Sequence, residues 1–251
     1  MAAPAGLDGV VAAETVLSDT DRSNGMVWVR GHALPDLVAN HGFEGMAALL
    51  WEGFAGEGLT RAGVQGRLGQ ARAEAFAGLG AWLPLAADKP PNHALRIALA
   101  SLPEDAGPFD PVGLLAVAVP ALLRAARGQA PVAPDPDAAL AADVLRMLRG
   151  DPAPPAHAAA LDVYLTVMGE SGLSASAFTA RCVASTRASL ASAVLAGWAA
   201  FTGPLHGGAP GPTLDLIDAA ERQDDLAGWL EAKLRAGERL MGFGHRVFHG
   251  N

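Results

Sequence analysis

The sequence predicts a mainly α-helical protein. From residue 34 to about residue 201, segments rich in Ala, Leu, Arg and Glu carry apolar residues three or four positions apart, which places them on one face of a helix. Prolines and glycines interrupt this pattern at short intervals, as expected for helices joined by loops. The predicted helices cover residues 34–40, 43–53, 60–79, 93–102, 112–127, 137–149, 156–168 and 175–201.

One short β-hairpin is predicted ahead of these helices. Residues 14–19 and 26–30 contain runs of β-branched and apolar residues, and the Asn24-Gly25 pair between them is a typical hairpin turn. We therefore place the hairpin at about residues 14–30.

The helix predicted over 137–149 is bracketed by prolines. It starts with acidic residues and ends with Arg146 and Arg149, the order of charges that the helix dipole favours. The proline-rich segments on either side are too short to be domain linkers, so we interpret them as loops between helices.

Composition and charge exclude several classes of protein. A chain of 251 residues with 51% apolar content can bury a sizeable core, so general disorder is excluded. The net charge is -8 and no cluster of Lys or Arg stands out, which argues against a nucleic-acid partner. No apolar window reaches the roughly 18 residues needed to span a bilayer, and residues 1–9 lack the basic start of a secretory signal. We expect a cytoplasmic protein with no membrane partner.

The sequence contains a single cysteine, Cys182. It can therefore form neither an internal disulfide nor a thiolate metal cluster, which fits a reducing cytoplasm. Because Cys182 lies in an apolar run of small residues, we predict that it is buried. The histidines show no metal-ligand spacing, so we expect no metal site.

Two histidines are framed by glycines. His206 lies in Gly-Pro-Leu-His-Gly-Gly (residues 203–208), and His245 lies in Gly-Phe-Gly-His-Arg (residues 242–246). Glycines allow a ligand to approach the backbone closely and allow positive φ. One imidazole could donate to a developing enolate while the other polarises a carbonyl and protonates the alkoxide. The spacing alone fits a structural loop equally well.

Longer segments around both histidines resemble the citrate synthase family. The runs GPLHGGA (residues 203–209) and GFGHRVF (residues 242–248) resemble its two signature histidine segments, in the same order and at a similar separation. Residues 176–185 are also similar to the family. The likeness covers roughly residues 6–54 and 161–248.

The resemblance implies an α-helical fold of two domains that forms a homodimer. Residues 1–206 would form the large helical domain, which includes the hairpin, and residues 207–251 would begin the small helical domain. The sequence becomes more polar after His206, which agrees with a boundary there.

The resemblance also implies an acyltransferase that condenses acetyl-CoA with oxaloacetate to give citrate and free CoA, without a cofactor. By position, His206 would donate to the thioester carbonyl as the enolate forms. His245 would hydrogen-bond the oxaloacetate carbonyl and supply its proton. Gly242, Phe243 and Gly244 would belong to the loop that lies against CoA.

The sequence departs from the family pattern at several positions. Ser171 stands where the family has a histidine that contacts oxaloacetate, and a serine carries no positive charge. Binding of oxaloacetate is expected to weaken by about 1 to 3 kcal/mol. Pro210 replaces an asparagine after His206. The family's catalytic aspartate and its arginine clamp lie beyond the second histidine segment, so we interpret the chain as C-terminally truncated.

These departures leave three hypotheses. In the first, the protein is a citrate synthase or a relative that takes propionyl-CoA to 2-methylcitrate, and residues 1–251 are a fragment lacking the catalytic aspartate. In the second, it is a non-catalytic homologue that binds CoA or a paralogous subunit. In the third, it is a helical scaffold, which would leave both histidine segments unexplained.

Overall fold

A computed structural model describes residues 13–21, 24–170, 172–208 and 210–243. Within these ranges the chain forms twelve helices and one small sheet, so the prediction of a mainly α fold is confirmed. None of the helices in these ranges has the length and apolar character needed to cross a membrane.

The N-terminal sheet contains the predicted hairpin and one additional strand. Its strands are β1 (Ser18–Asp21), β2 (Met26–Val29) and β3 (His32–Ala33). They pair antiparallel in the order β1-β2-β3, with Ser18 opposite Val29. A second tight turn at Arg30 and Gly31, both with positive φ, brings β3 beside β2.

Helices form almost all of the remaining structure. They are α1 (Leu34–Asn40), α2 (Gly42–Trp51), α3 (Arg61–Ala77), α4 (Leu79–Ala86), α5 (Pro91–Ala100), α6 (Asp110–Ala125), α7 (Leu140–Arg149), α8 (Pro155–Met168), α9 (Ala175–Ala184), α10 (Leu190–Phe201), α11 (Pro210–Ala220) and α12 (Leu226–Arg235). Helix α4 is absent from the sequence prediction, and it contains an internal proline, Pro84, which disfavours a helix. Its buried residues Leu79, Trp82 and Ala86 hold it in place.

The prediction of one continuous helix over residues 175–201 is wrong. The segment forms α9 and α10, with Arg187 at φ 63 in the turn between them. At the end of α9, the hydroxyls of Ser185 and Thr186 donate to nearby backbone carbonyls. Ser189 then caps α10 by accepting from the Ser192 amide. Such local hydrogen bonds compete with helix continuation.

Cys182 is exposed, so the prediction that it is buried is wrong. It lies on α9, a helix with no buried residue. This helix packs closely on one neighbour, α10, where Gly197 lies against Ala180. An apolar run was therefore a poor guide to burial here, because every residue of α9 is either partly buried or exposed.

The core lies between helices α2 to α7. Trp82, Leu99 and Val117 are buried at the meeting of α4, α5 and α6. Helices α3 and α6 cross closely, since a Cβ added at Gly113 would lie 2.7 Å from the backbone carbonyl carbon of Ala71. Helix α10 packs on α9 and α5, which connects it to this core.

Glu52 closes the loop that follows α2. Its carboxylate accepts hydrogen bonds from the amides of Gly58 and Leu59, each at 2.8 Å. These two bonds lower the pKa of the Glu52 carboxyl, because they stabilise its charged form. The loop between α2 and α3 is therefore anchored at its beginning.

A buried ion pair joins α3 to α7. Arg72 Nε lies 2.8 Å from Asp143 Oδ2, and both side chains are fully buried. Arg72 Nη2 also donates to the carbonyls of Asp135 and Ala138 in the proline-rich loop before α7. Asp143 Oδ1 accepts from the Asp135 amide and from Arg146. One pair of charges therefore holds two helices and the loop between α6 and α7.

We predict that Asp143→Ala lowers the free energy of unfolding by about 3 to 5 kcal/mol, because it leaves the Arg72 guanidinium buried without its counter-ion. Glu231→Ala is the matched control, since it breaks the exposed pair between Glu231 and Arg235 and should cost at most about 1 kcal/mol. Denaturant unfolding measures both. Losses of equal size would contradict the assigned role of the buried pair.

Candidate active site

His206 lies in a tight turn that follows α10. Its amide donates to the Gly203 carbonyl at 3.0 Å, the Gly207 amide donates to the Phe201 carbonyl at 2.8 Å, and the Gly208 amide donates to the Gly203 carbonyl at 3.1 Å. Three backbone hydrogen bonds within eight residues give the turn a defined shape. They fix the position from which the imidazole projects.

The imidazole of His206 is held on two sides. Its Nε2 lies 2.8 Å from the Ser176 hydroxyl, in the first turn of α9. Its ring meets the edge of the Phe201 ring, with centroids 5.2 Å apart and planes at 76°. His206 is half-buried, and its Nδ1 makes no hydrogen bond with any described residue. This nitrogen can therefore meet a ligand.

The glycines after His206 serve packing inside the turn. A Cβ added at Gly207 would lie 2.4 to 2.6 Å from atoms of the Phe201 ring. A Cβ added at Gly208 would lie 2.9 Å from the Gly203 carbonyl oxygen. The expectation that these glycines admit a ligand needs revision at Gly207, because the space beside it is occupied by Phe201.

The second glycine-rich segment lies near the start of α11. Gly242 has φ 91, and a Cβ there would lie 2.7 Å from the Thr213 Cγ2, so a side chain would be both strained and crowded. Thr213 is in the first turn of α11, and Phe243 exposes 75% of its surface. The segment up to Phe243 therefore approaches the end of α11 that follows the His206 turn.

Three of the predicted site residues lie outside the described residues: Ser171, Gly244 and His245. The structure therefore gives no geometry for the pairing of the two histidines, and their roles stay predictions. Pro210 begins α11 and Pro212 follows in its first turn, positions at which proline is tolerated.

Sequence analysis missed Ser176 and Phe201 as neighbours of His206. The contact between Ser176 and His206 spans thirty positions in the sequence, and no motif spacing indicates it. The only available signal was the resemblance of residues 176–185 to the family. Phe201 was predicted as a helical residue, and its contact depends on how the turn folds back onto the end of α10.

Fold and site together define a mainly α-helical protein with a histidine held in a glycine-rich turn by a serine and a phenylalanine. The family model described as "Citrate synthase, C-terminal domain" matches residues 6–251. The chain belongs to the citrate synthase family.

Individual relatives agree with this assignment. The chain is 36% identical to a protein named putative citrate synthase 2 from Mycobacterium tuberculosis, over 97% of this chain and 65% of that protein. It is 32% identical to a 2-methylcitrate synthase from the same organism, over 98% of this chain and 66% of that protein. The chain thus spans about two thirds of the length of these relatives.

A solved structure confirms the fold. The crystal structure of citrate synthase from Thermotoga maritima matches with a TM-score of 0.82 at 25% identity. The match covers 97% of this chain and 68% of that one. The arrangement of helices described above is therefore that of citrate synthases.

We predict that Gly207→Ala disrupts the turn, because the added methyl group can be placed only if the Phe201 ring leaves its position beside His206. The expected cost is about 1 to 3 kcal/mol in the free energy of unfolding. Gly211→Ala is the matched control: Gly211 lies in α11, and no atom of the described residues lies within 4 Å of an added Cβ, so the change should be neutral or stabilise by at most about 1 kcal/mol. Equal changes in the free energy of unfolding at both positions would argue against close packing of the Phe201 ring on Gly207.

Proposed function

We propose that this chain carries the part of a citrate synthase active site in which His206 donates a hydrogen bond to the thioester carbonyl of an acyl-CoA. The bond between Ser176 and His206 is the single observation that supports this most, because it orients the imidazole through Nε2 and leaves Nδ1 available for a ligand. A catalytic imidazole needs such orientation by a neighbouring group.

The proposed chemistry follows from the charge that develops in the reaction. Removal of a proton from the acyl group moves negative charge to the thioester oxygen. A hydrogen-bond donor held at that point stabilises the enolate, and loss of one such donor typically slows a reaction about 10² to 10³ fold. The half-buried setting of His206 beside Phe201 strengthens the interaction, because it limits competition from water.

The remaining site residues complete the proposal. His245 would bond the oxaloacetate carbonyl and protonate it, and Ser171 would contact an oxaloacetate carboxylate. Gly242, Phe243 and Gly244 would form the loop against CoA. The exposed ring of Phe243 and the crowded, positive-φ position of Gly242 support a shaped loop.

The acyl-CoA is acetyl-CoA or propionyl-CoA, and the relatives bear the names of both types of synthase. The chemistry assigned to the histidines consists of hydrogen bonding and proton transfer, so the proposal requires no metal ion or cofactor. A cytoplasmic location agrees with a chain that has one cysteine.

We place the boundary between large and small domains at residues 206 and 207. Helices α11 and α12 contain no buried residue, whereas α2 to α7 contain the core, which supports separate packing of the two parts. A homodimer is also part of the proposal. Helix α8 exposes four large apolar side chains on neighbouring positions, which suit contact with a second copy: Val163, Tyr164, Val167 and Met168.

One observation favours the alternative of a non-catalytic homologue. Within the described ranges, no carboxylate contacts His206, and enolisation needs a general base close to the acyl group. Such a homologue would bind CoA or a paralogous subunit without turning over substrate.

We predict that a complete chain, which supplies the catalytic aspartate in addition to residues 1–251, releases CoA when acetyl-CoA or propionyl-CoA is mixed with oxaloacetate. His206→Asn should reduce this rate at least about 10²-fold, because it removes a donor to the enolate. His157→Asn, which changes an exposed histidine on α8, is the matched control and should leave the rate unchanged. Thiol detection of free CoA measures the rate. Binding of CoA without any release would favour the non-catalytic alternative.

We predict that the chain sediments as a dimer and that Tyr164→Asp shifts it toward the monomer, because a charge on the apolar α8 face would be buried without a partner. Leu85→Asp is the matched control, since Leu85 is a similarly exposed apolar residue on α4. Analytical ultracentrifugation measures the sedimentation of both variants. If both sediment alike, α8 is not the contact surface.

A further inference from the structure

We infer that Glu170 is a positioning residue for His206 and that it acts through a chain of hydrogen bonds running from strand β1 to the imidazole. This inference rests on the proposed role of His206. It concerns Glu170 and Ser18, to which the family resemblance assigned no role.

The first part of this hydrogen-bond chain joins the N-terminal sheet to the segment between α8 and α9. Glu170 Oε1 accepts from the Ser18 hydroxyl at 2.8 Å and from the Gly172 amide at 2.7 Å. Ser18 begins β1 and lies 152 positions away in the sequence. Hydrogen bonds to a charged acceptor are about twice as strong as neutral ones, so Glu170 can hold both groups firmly.

The second part sets the start of α9. Gly172 has φ 81, and its carbonyl accepts from the Ser174 amide at 2.8 Å. Ser174 is the N-cap of α9, and its hydroxyl accepts from the Ala177 amide. The position of Gly172 therefore determines where the helix begins.

The last part reaches the imidazole. The Ser174 hydroxyl lies 3.1 Å from the Ser176 hydroxyl, which lies 2.8 Å from His206 Nε2. Each serine hydroxyl can donate one hydrogen bond and can also accept. The direction of the bond between Ser174 and Ser176 therefore influences whether the Ser176 hydroxyl donates to His206 Nε2 or accepts from it. A change at Glu170 would thus reach His206 through the first turn of α9.

A second contact ties the same two parts of the molecule together. Arg181, in the last turn of α9, donates to the Glu14 carbonyl just before β1. Residues 14 to 18 are therefore bonded both to Glu170, which precedes α9, and to Arg181 in the last turn of α9. We expect the sheet and α9 to keep a common position, with Glu170 controlling the end nearest His206.

Imidazole NMR of the full 251-residue chain tests this inference without substrate. The ring nitrogen signals of His206 are identified by their loss in His206→Asn. Glu170→Ala should move these signals, while those of His93 and His157, which lie on α5 and α8, stay in place as internal references. Ser18→Ala should move them in the same direction by a smaller amount. Glu104→Ala is the matched control, because Glu104 is exposed and contacts no described residue through its side chain.

The route through Ser176 is tested by combining variants. If Glu170 acts through Ser176, then Glu170→Ala should cause no further movement of the His206 signals once Ser176→Ala is present. An additional shift of the original size would overturn the proposed route. Folded Glu170→Ala with unmoved His206 signals would overturn the inference itself.

A conservative variant and the independence of the NMR signals from turnover complete the experiment. Should Glu170→Ala fail to fold, Glu170→Gln retains the shape of the side chain with a weaker acceptor and must still move the signals. The NMR result is independent of turnover: CoA release that requires His206, together with signals insensitive to Glu170, rejects this inference alone. Signals sensitive to Glu170 with no CoA release reject the proposed function alone.

Discussion

The packing of this helical protein depends on charges buried around the start of α7. Arg72 from α3 and Asp143 from α7 neutralise each other out of contact with water, and each also satisfies backbone groups of the loop before α7. Glu44 from α2 adds a third contact by accepting from the Leu140 amide at the first residue of α7. Desolvation makes such groups costly when a partner is lost, so the packing of α2, α3 and α7 is energetically coupled.

The candidate site is built outward from this arrangement. Helix α6 packs against α3 and α7, α5 packs on α6, and α10 packs on α5. The His206 turn then follows the last residue of α10. The position of the imidazole thus depends on the core, to which α10 connects it. It also depends on the N-terminal sheet, to which Ser176 and α9 connect it. Two sets of contacts therefore position one side chain, as a preorganised site requires.

Helical periodicity predicted the elements of the core well, because α3, α6 and α7 each present one apolar face to neighbours within the chain. The method failed where local side-chain hydrogen bonding competes with that pattern. The serine and threonine residues after α9 end the helix inside an apolar run, and the buried contacts of α4 outweigh its internal Pro84. The glycine-rich motif identified His206. Neither a motif nor the helical periodicity could identify Ser176 or Phe201 as its neighbours, because their contacts with His206 arise from tertiary packing.

The exposure of Cys182 has a practical consequence. The sequence has no other thiol, so a fluorophore or spin label attached to this cysteine would mark a single point on the protein. That point lies six residues along α9 from Ser176, about 9 Å at the rise of an α-helix. A label there would report distance changes between α9 and the rest of the molecule as ligands arrive, in the unaltered sequence.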